Sequence, residues 1–224
     1  MNTAIVIGAT GLTGSNLLEF LLRDERFSKV KIFTRRQSGI SNVKLEEHII
    51  DFDNPDSFKE LLQGNVLFSA LGTTIRKAGS KESQYKIDYS YQFKIAEICA
   101  KNGVETYVLV SSAGANLDSK IFYSRMKGEL DRAVMQLGFN KIRILRPGIL
   151  EGVRKESRFG EKAFIIFAKV ISKIPGLKKL RPIQGRQVAQ AMINSYFDET
   201  PGTKIFTMEK VFTMSNEYRT EQEE

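Results

Sequence analysis

Ala4-Ile5-Val6-Ile7-Gly8-Ala9-Thr10-Gly11-Leu12-Thr13-Gly14 decides the fold. The four apolar residues at its start predict a strand covered on both faces, as a parallel sheet requires. Three glycines spaced by three residues follow. Leu17, Leu18, Leu21 and Leu22 then place an apolar stripe on a helix over about 12–23. Glycine spacing alone is a weak signal; a strand before it and a helix after it make it strong. Glycine allows the tight turn and a close backbone approach, and the helix beyond presents free N–H groups and its positive dipole end. Gly8, Ala9, Thr10, Gly11, Leu12, Thr13 and Gly14 are therefore candidate residues for holding a pyrophosphate.

Reading outward, short apolar runs alternate with longer helical patterns, the signature of βαβ units. Strands are predicted at 29–34, 46–50, 66–71, 106–110 and 141–145, and helices at 54–62, 84–101 and 121–137. The stretch 72–83 is polar and reads as a loop. Beyond Arg146-Pro147-Gly148 the alternation breaks, leaving helices at 159–172 and 187–197 and a last strand at 204–208. The expected architecture is α/β: a Rossmann-type doubly wound parallel sheet with a small C-terminal helical or substrate region. One domain is expected over 1–214, with 151–200 as its substrate or lid region. The polar end, 215–224, reads as a disordered tail.

Composition sets limits. One cysteine among 224 residues, Cys99, permits no internal disulfide and no cysteine-based metal site, so no metal is expected. Together with the missing leader pattern, this predicts a cytoplasmic protein. The longest apolar stretch, 163–174, is broken by Lys169, Ser172 and Lys173, too short and too charged to span a bilayer. The net charge is +8 and uneven: 151–181 carries nine Lys or Arg against three Glu. No zinc-finger spacing or RNP-type aromatic motif accompanies it, so a phosphate-bearing small molecule is a better partner than nucleic acid. A monomer or a homodimer is expected.

The second predicted strand ends in Thr34-Arg35-Arg36, where a carboxylate usually accepts from a ribose 2′-OH. A guanidinium instead suits a 2′-phosphate, so Arg35 and Arg36 point to NADP(H) and away from NAD(H). Tyr123 and Lys127 stand one helical turn apart and share a face. A lysine ammonium beside a phenol stabilises the phenolate and so equips the tyrosine for acid–base work. The fifth strand ends in Ser111-Ser112, where ligands of open α/β sheets lie. Ser112, with Ser111 as the alternative, is the candidate for bonding the reacting oxygen. His48 reads as structural and Cys99 as core. Phe164, Ile165, Phe167, Ala168, Ile171 and Ile174 fit a substrate lid, sheet packing or a partner surface.

Taken together, these residues resemble the short-chain dehydrogenase superfamily. Further stretches are similar to an atypical branch, that of the mammalian Tat-interacting tumour-suppressor protein and its microbial oxidoreductase relatives. They are Leu71-Gly72-Thr73-Thr74 with Lys77-Ala78-Gly79, Phe122-Tyr123 with Lys127-Gly128-Glu129, Arg146-Pro147-Gly148, and Glu156-Ser157-Arg158 with Gly160-Glu161. The resemblance implies NADP(H) bound by Ala9 to Gly14, Arg35 and Arg36, with Leu71 and Gly72 at the end of the fourth strand. It places Tyr123 and Lys127 at the ribose and the catalytic centre, and Leu150 and Arg158 closing over the cofactor. Asp88 stands where many superfamily members carry an asparagine of the proton relay. The implied function is hydride transfer to or from a carbonyl or alcohol; an NADP(H) sensor without turnover is the alternative.

Overall fold

A computed structural model describes residues 1–151 and 182–217. The strands are β1 (Asn2–Ile7), β2 (Phe27–Thr34), β3 (Leu45–Ile49), β4 (Val66–Ser69), β5 (Thr106–Val110), β6 (Lys141–Arg146), β7 (Leu150–Glu151), β8 (Ile183–Gln184) and β9 (Gly202–Thr207). The helices are α1 (Leu12–Arg23), α2 (Ile75–Ala78), α3 (Lys81–Tyr85), α4 (Gln92–Lys101), α5 (Phe122–Val134), α6 (Gly185–Tyr196) and α7 (Met208–Asn216). Seven strands form one sheet in the order β3-β2-β1-β4-β5-β6-β9, every neighbour parallel. β7 and β8 form a small parallel pair beside it. This is the expected Rossmann-type fold. Its strand order reverses between β1 and β4, which opens the crevice where such sheets take ligands.

Period-two side-chain alternation divides the core into two layers. Ala4 and Val6 of β1, with Val108 and Val110 of β5, meet α1, α6 and α7 on one face. Ile5 and Ile7, with Tyr107 and Leu109, meet α4 and α5 on the other. Leu17, Leu18 and Leu21 of α1 are wholly buried, each contributing about 1.5–3 kcal/mol. Arg143 of β6 is wholly buried as well. Its guanidinium donates to the carbonyls of Ser195, Ile142, Gly202, Asp198 and Thr200, so it caps the end of α6 and the turn into β9.

Four expectations needed correction. The helix expected at 54–62 is two separate 3₁₀ turns, Pro55–Ser57 and Lys59–Leu61. Phe58 and Leu62 are both drawn into the core, and Asn102 Nδ2 takes the carbonyls of Lys59 and Leu62 that a continuing helix would need. The expected loop at 72–83 holds α2, capped by Thr74. The helix expected at 84–101 starts at Lys81 behind a Ser80 cap and contains a π turn, Lys86–Tyr91. The end of the chain is not tail from 215: α7 runs to Asn216 with Val211, Phe212, Met214 and Ser215 buried. The i, i+3, i+4 spacing of Met208, Val211 and Phe212 signalled it. The expected helix at 159–172, Arg158, the apolar set at 164–174 and 218–224 lie outside the described residues, as does nearly all of the basic segment 151–181.

Candidate active site

The glycine turn leaves β1 at Gly8 with φ +80, a region that disfavours side chains. A Cβ there would lie 2.5 Å from Leu71 N and 2.6 Å from the Ala70 carbonyl oxygen. The end of β4 is thus pressed against the turn, which brings Leu71 to the cradle. No side chain caps the N-terminus of α1 and no acid stands in its first turn. Thr13 Oγ1 is buried without a hydrogen-bond partner among the described residues. Open N–H groups, an orphaned hydroxyl and a turn that only glycine fits suit a bound phosphate.

A cleft of about 390 Å³ extends from this turn, lined by Gly8, Ala9, Thr10, Leu71 and the Phe33–Gln37 stretch, with Phe52 on its wall. Arg35 and Arg36 are exposed at its rim, and neither forms an ion pair or hydrogen bond among the described residues. Glu47 is the carboxylate beside this rim, and its Oε1 accepts from Ser38 N at 2.7 Å. Phe52 was not singled out from the sequence; its aromatic body following the β3 end was the available signal. His48 stacks on Phe33 at 4.8 Å and pairs with Glu46 at 2.8 Å, a structural placement. Cys99 is buried, and burial pushes its thiol pKa up.

The second cluster lies at the ends of β4, β5 and β6. Ser111 and Ser112 follow directly on β5 and differ in burial. Ser111 is buried and its Oγ has no hydrogen-bond partner among the described residues. Ser112 is half-buried, and its Oγ accepts from Gly114 N at 3.4 Å. On α5, Tyr123 is 39% exposed. Lys127, one turn on, is 3% exposed, yet donates no hydrogen bond among the described residues.

Two buried carboxylates flank Lys127. Asp88, from the π turn, accepts from Thr73 N at 2.6 Å and from Gln84 Nε2 at 3.4 Å. Gln92 in turn donates to the Asp88 carbonyl and accepts from Ser69 Oγ at 2.6 Å. Burial raises the Asp88 pKa, against the Lys127 charge and the Thr73 amide. Asp131 lies one turn beyond Lys127 on α5 and accepts from Arg146 Nε at 2.9 Å. Burial raises its pKa too, opposed by the Ser111 hydroxyl beside it, by Arg146 and by Lys127. Sequence reasoning treated Asp88 only as a departure and missed Asp131, although Tyr123, Lys127 and Asp131 recur every four residues. Gly72 lies at the Asp88 carboxylate, 3.8 Å from where its Cβ would stand. Leu150 packs on the core from β7. Among the described residues no cluster of His, Cys, Asp and Glu could hold a metal ion, and no helix is long and apolar enough to cross a membrane.

Residues 8–161 match a family model described as NAD(P)H-binding. The chain belongs to the NAD(P)H-binding family. Among curated relatives, the Saccharomyces cerevisiae protein FMP52, mitochondrial, is 42% identical over 163 residues, 70% of each chain. The Aspergillus niger protein fmp52, mitochondrial, is 33% identical over 222 residues, 96% of this chain and 95% of that one. The expectation of a cytoplasmic protein is overturned by these relatives, which are named as mitochondrial. Cysteine usage separates reducing from oxidising surroundings and carries no finer address. The relatives also carry FMP52 names, not those of the Tat-interacting branch. Among solved structures, the Bordetella bronchiseptica enzyme WbmH in complex with NAD+ aligns with a TM-score of 0.68 at 15% identity, over 92% of this chain and 75% of that one. UDP-glucose 4-epimerase from Thermotoga maritima aligns with a TM-score of 0.67 at 16% identity, over 98% and 84%. Both share the fold.

Proposed function

We propose that this chain is an NADP(H)-dependent oxidoreductase of the short-chain dehydrogenase type, acting on a carbonyl or its alcohol in a mitochondrial setting. The resemblance to the Tat-interacting branch belongs to this reading. So do the roles given to Gly8 to Gly14, Leu71, Gly72 and Leu150 around the cofactor, and to Arg158 beyond the described residues. One observation carries the reading: an accessible phenol, Tyr123, stands one turn before a buried lysine whose donors are unspent.

In this reading the bound cofactor supplies or accepts a hydride. The chain's residues do the rest. The N-terminus of α1 holds the pyrophosphate, and Arg35 and Arg36 take the 2′-phosphate by charged hydrogen bonds. Lys127 donates to the ribose hydroxyls and favours the Tyr123 phenolate. Tyr123 gives a proton to the carbonyl oxygen on reduction and removes one from the alcohol in reverse. Ser112, on the open side of the β5 end, holds that oxygen; buried Ser111 does not reach it.

Calorimetry with NADPH and NADH, alongside a carbonyl panel with NADPH, tests the reading. Replacing Arg35 and Arg36 together by alanine should weaken NADPH far more than NADH. Equal losses would remove the arginines from the 2′-phosphate site. NADPH binding with no substrate turned over across a broad panel would favour the sensor alternative.

A further inference from the structure

Arg35 and Arg36 leave the sheet on a stretch with few ties. From Arg35 to Ser41, one hydrogen bond among the described residues joins the chain to the sheet: Ser38 N donates to Glu47 Oε1 at 2.7 Å. The other bond in the stretch is internal, from Ile40 N to Ser38 Oγ at 3.3 Å. Gly39 follows Ser38 with φ +74 and nothing packed where a Cβ would stand. The next anchor is Asn42, whose carbonyl takes Leu45 N and whose side chain takes Lys44 N. Without the Glu47 bond, the arc that carries both arginines would be tied only at its two ends.

Glu47 reaches this place from β3, the edge strand, where it stands opposite Ile32 of β2. The same oxygen lies 3.4 Å from the hydroxyl of buried Thr34, the last residue of β2. One carboxylate oxygen thus holds the end of β2 and the turn four residues on. Its charge strengthens such bonds. Glu47 forms no ion pair with Arg35 or Arg36 among the described residues, so both guanidiniums keep their donors for a ligand. A carboxylate beside a phosphate site also repels the phosphate. At an open rim that repulsion is screened over about 8 Å in physiological salt. A segment already ordered before binding spares the complex the cost of ordering it. Anchoring should therefore outweigh repulsion.

We propose that Glu47 is a specificity-determining residue for the cofactor and acts by position: it pins Ser38 so that Arg35 and Arg36 stand over the adenosine 2′-phosphate. This rests on the NADP(H) reading above. Glu47 touches no ligand, and its effect passes through the two arginines. The preference for NADPH over NADH should then depend on an acceptor at position 47 more than on a charge there.

Calorimetry with NADPH and NADH reads that preference as a ratio of affinities. In Glu47→Ala the ratio should fall about 10-fold or more, the range of a hydrogen bond to a charged group. Glu47→Gln keeps an oxygen within reach of Ser38 N and should hold the ratio within about threefold of wild type, as a neutral acceptor still meets the donor. In an Arg35→Ala, Arg36→Ala background, Glu47→Ala should change the ratio no further, since residues acting as one unit are non-additive. Should Glu47→Ala not fold, Glu47→Leu, which keeps the stem on the strand and lacks the acceptor, is read in the same way. Equal losses for both cofactors would show a merely structural role. Tighter NADPH binding in both Glu47→Ala and Glu47→Gln would show that repulsion prevails, and a Glu47→Gln protein as impaired as Glu47→Ala would show that no hydrogen bond anchors the turn. Each of these results overturns the proposal. A wild-type protein that binds neither cofactor, or binds both alike, would overturn the NADP(H) reading first, and this proposal with it.

Discussion

Tyr123 and Lys127 are four residues apart, yet one is open to a substrate and the other is not. That difference assigns them separate work. Tyr123→Phe keeps the ring and its packing and removes only the hydroxyl, so NADPH affinity should stay within a few fold. Turnover of a substrate found in the panel should fall by about 10²–10⁴-fold, the usual contribution of a positioned proton donor. A retained full rate would strip Tyr123 of its acid–base role. The pair was legible in the sequence because helical spacing alone puts both on one face. Ser111 and Ser112 could not be told apart from the sequence, because both faces of β5 are covered, Val108 and Val110 on one and Tyr107 and Leu109 on the other. Asp131 stayed hidden because a carboxylate on a helix reads as surface until Arg146 is seen across from it.

Among the elements, the sequence displayed those built on simple periodicity: β1, α1, β5, α5 and β6. It concealed the π turn at Lys86–Tyr91, because one extra residue in a helical turn leaves no compositional mark. Yet that turn sets the register of Asp88 against Thr73 and Gln84, so a small irregularity positions a buried carboxylate at the site. The clamp on α6 was equally illegible. Arg143 lies within an apolar strand pattern, and nothing nearby in sequence announces the carbonyls it collects from 195–202. Arg143→Met would leave several of those carbonyls buried without donors and the Asp198 charge less well paired. We expect a loss of about 2–5 kcal/mol in urea-determined stability, since each buried carbonyl left without a donor costs about 1–3 kcal/mol. A loss under about 1 kcal/mol would mean that water replaces the guanidinium there.

For the whole molecule, acid and base act on different parts. Burial works against the ionised form of Asp198, but Lys204 at 2.8 Å, Thr200 and Arg143 prevail and hold its pKa well below the usual carboxylate range. Its folded pKa being depressed, its stabilisation is complete above the unfolded value of about 3.9 and is lost as the pH falls further. Asp198→Asn should therefore melt lower than wild type at pH 7, with the gap narrowing below about pH 4. A gap unchanged in acid would refute the charge as its cause. Asp88 and Asp131 have the opposite sign: their raised pKa values favour the fold at low pH and weaken it as the pH rises through them. The compartment, unlike the fold, follows from no packing requirement, and only kinship corrected it. The layer that α1 shares with α6 also bears on how the chain is made. The leucines of α1 are covered by Val188, Ala189, Met192 and Ile193, and the Tyr196 hydroxyl bonds Asn2 across 194 positions. At roughly 5–20 residues per second, the cover is synthesised about 8–35 seconds after α1. During that interval the N-terminal half carries an uncovered apolar stripe, and α6, besides leading into the last strand of the sheet, closes it.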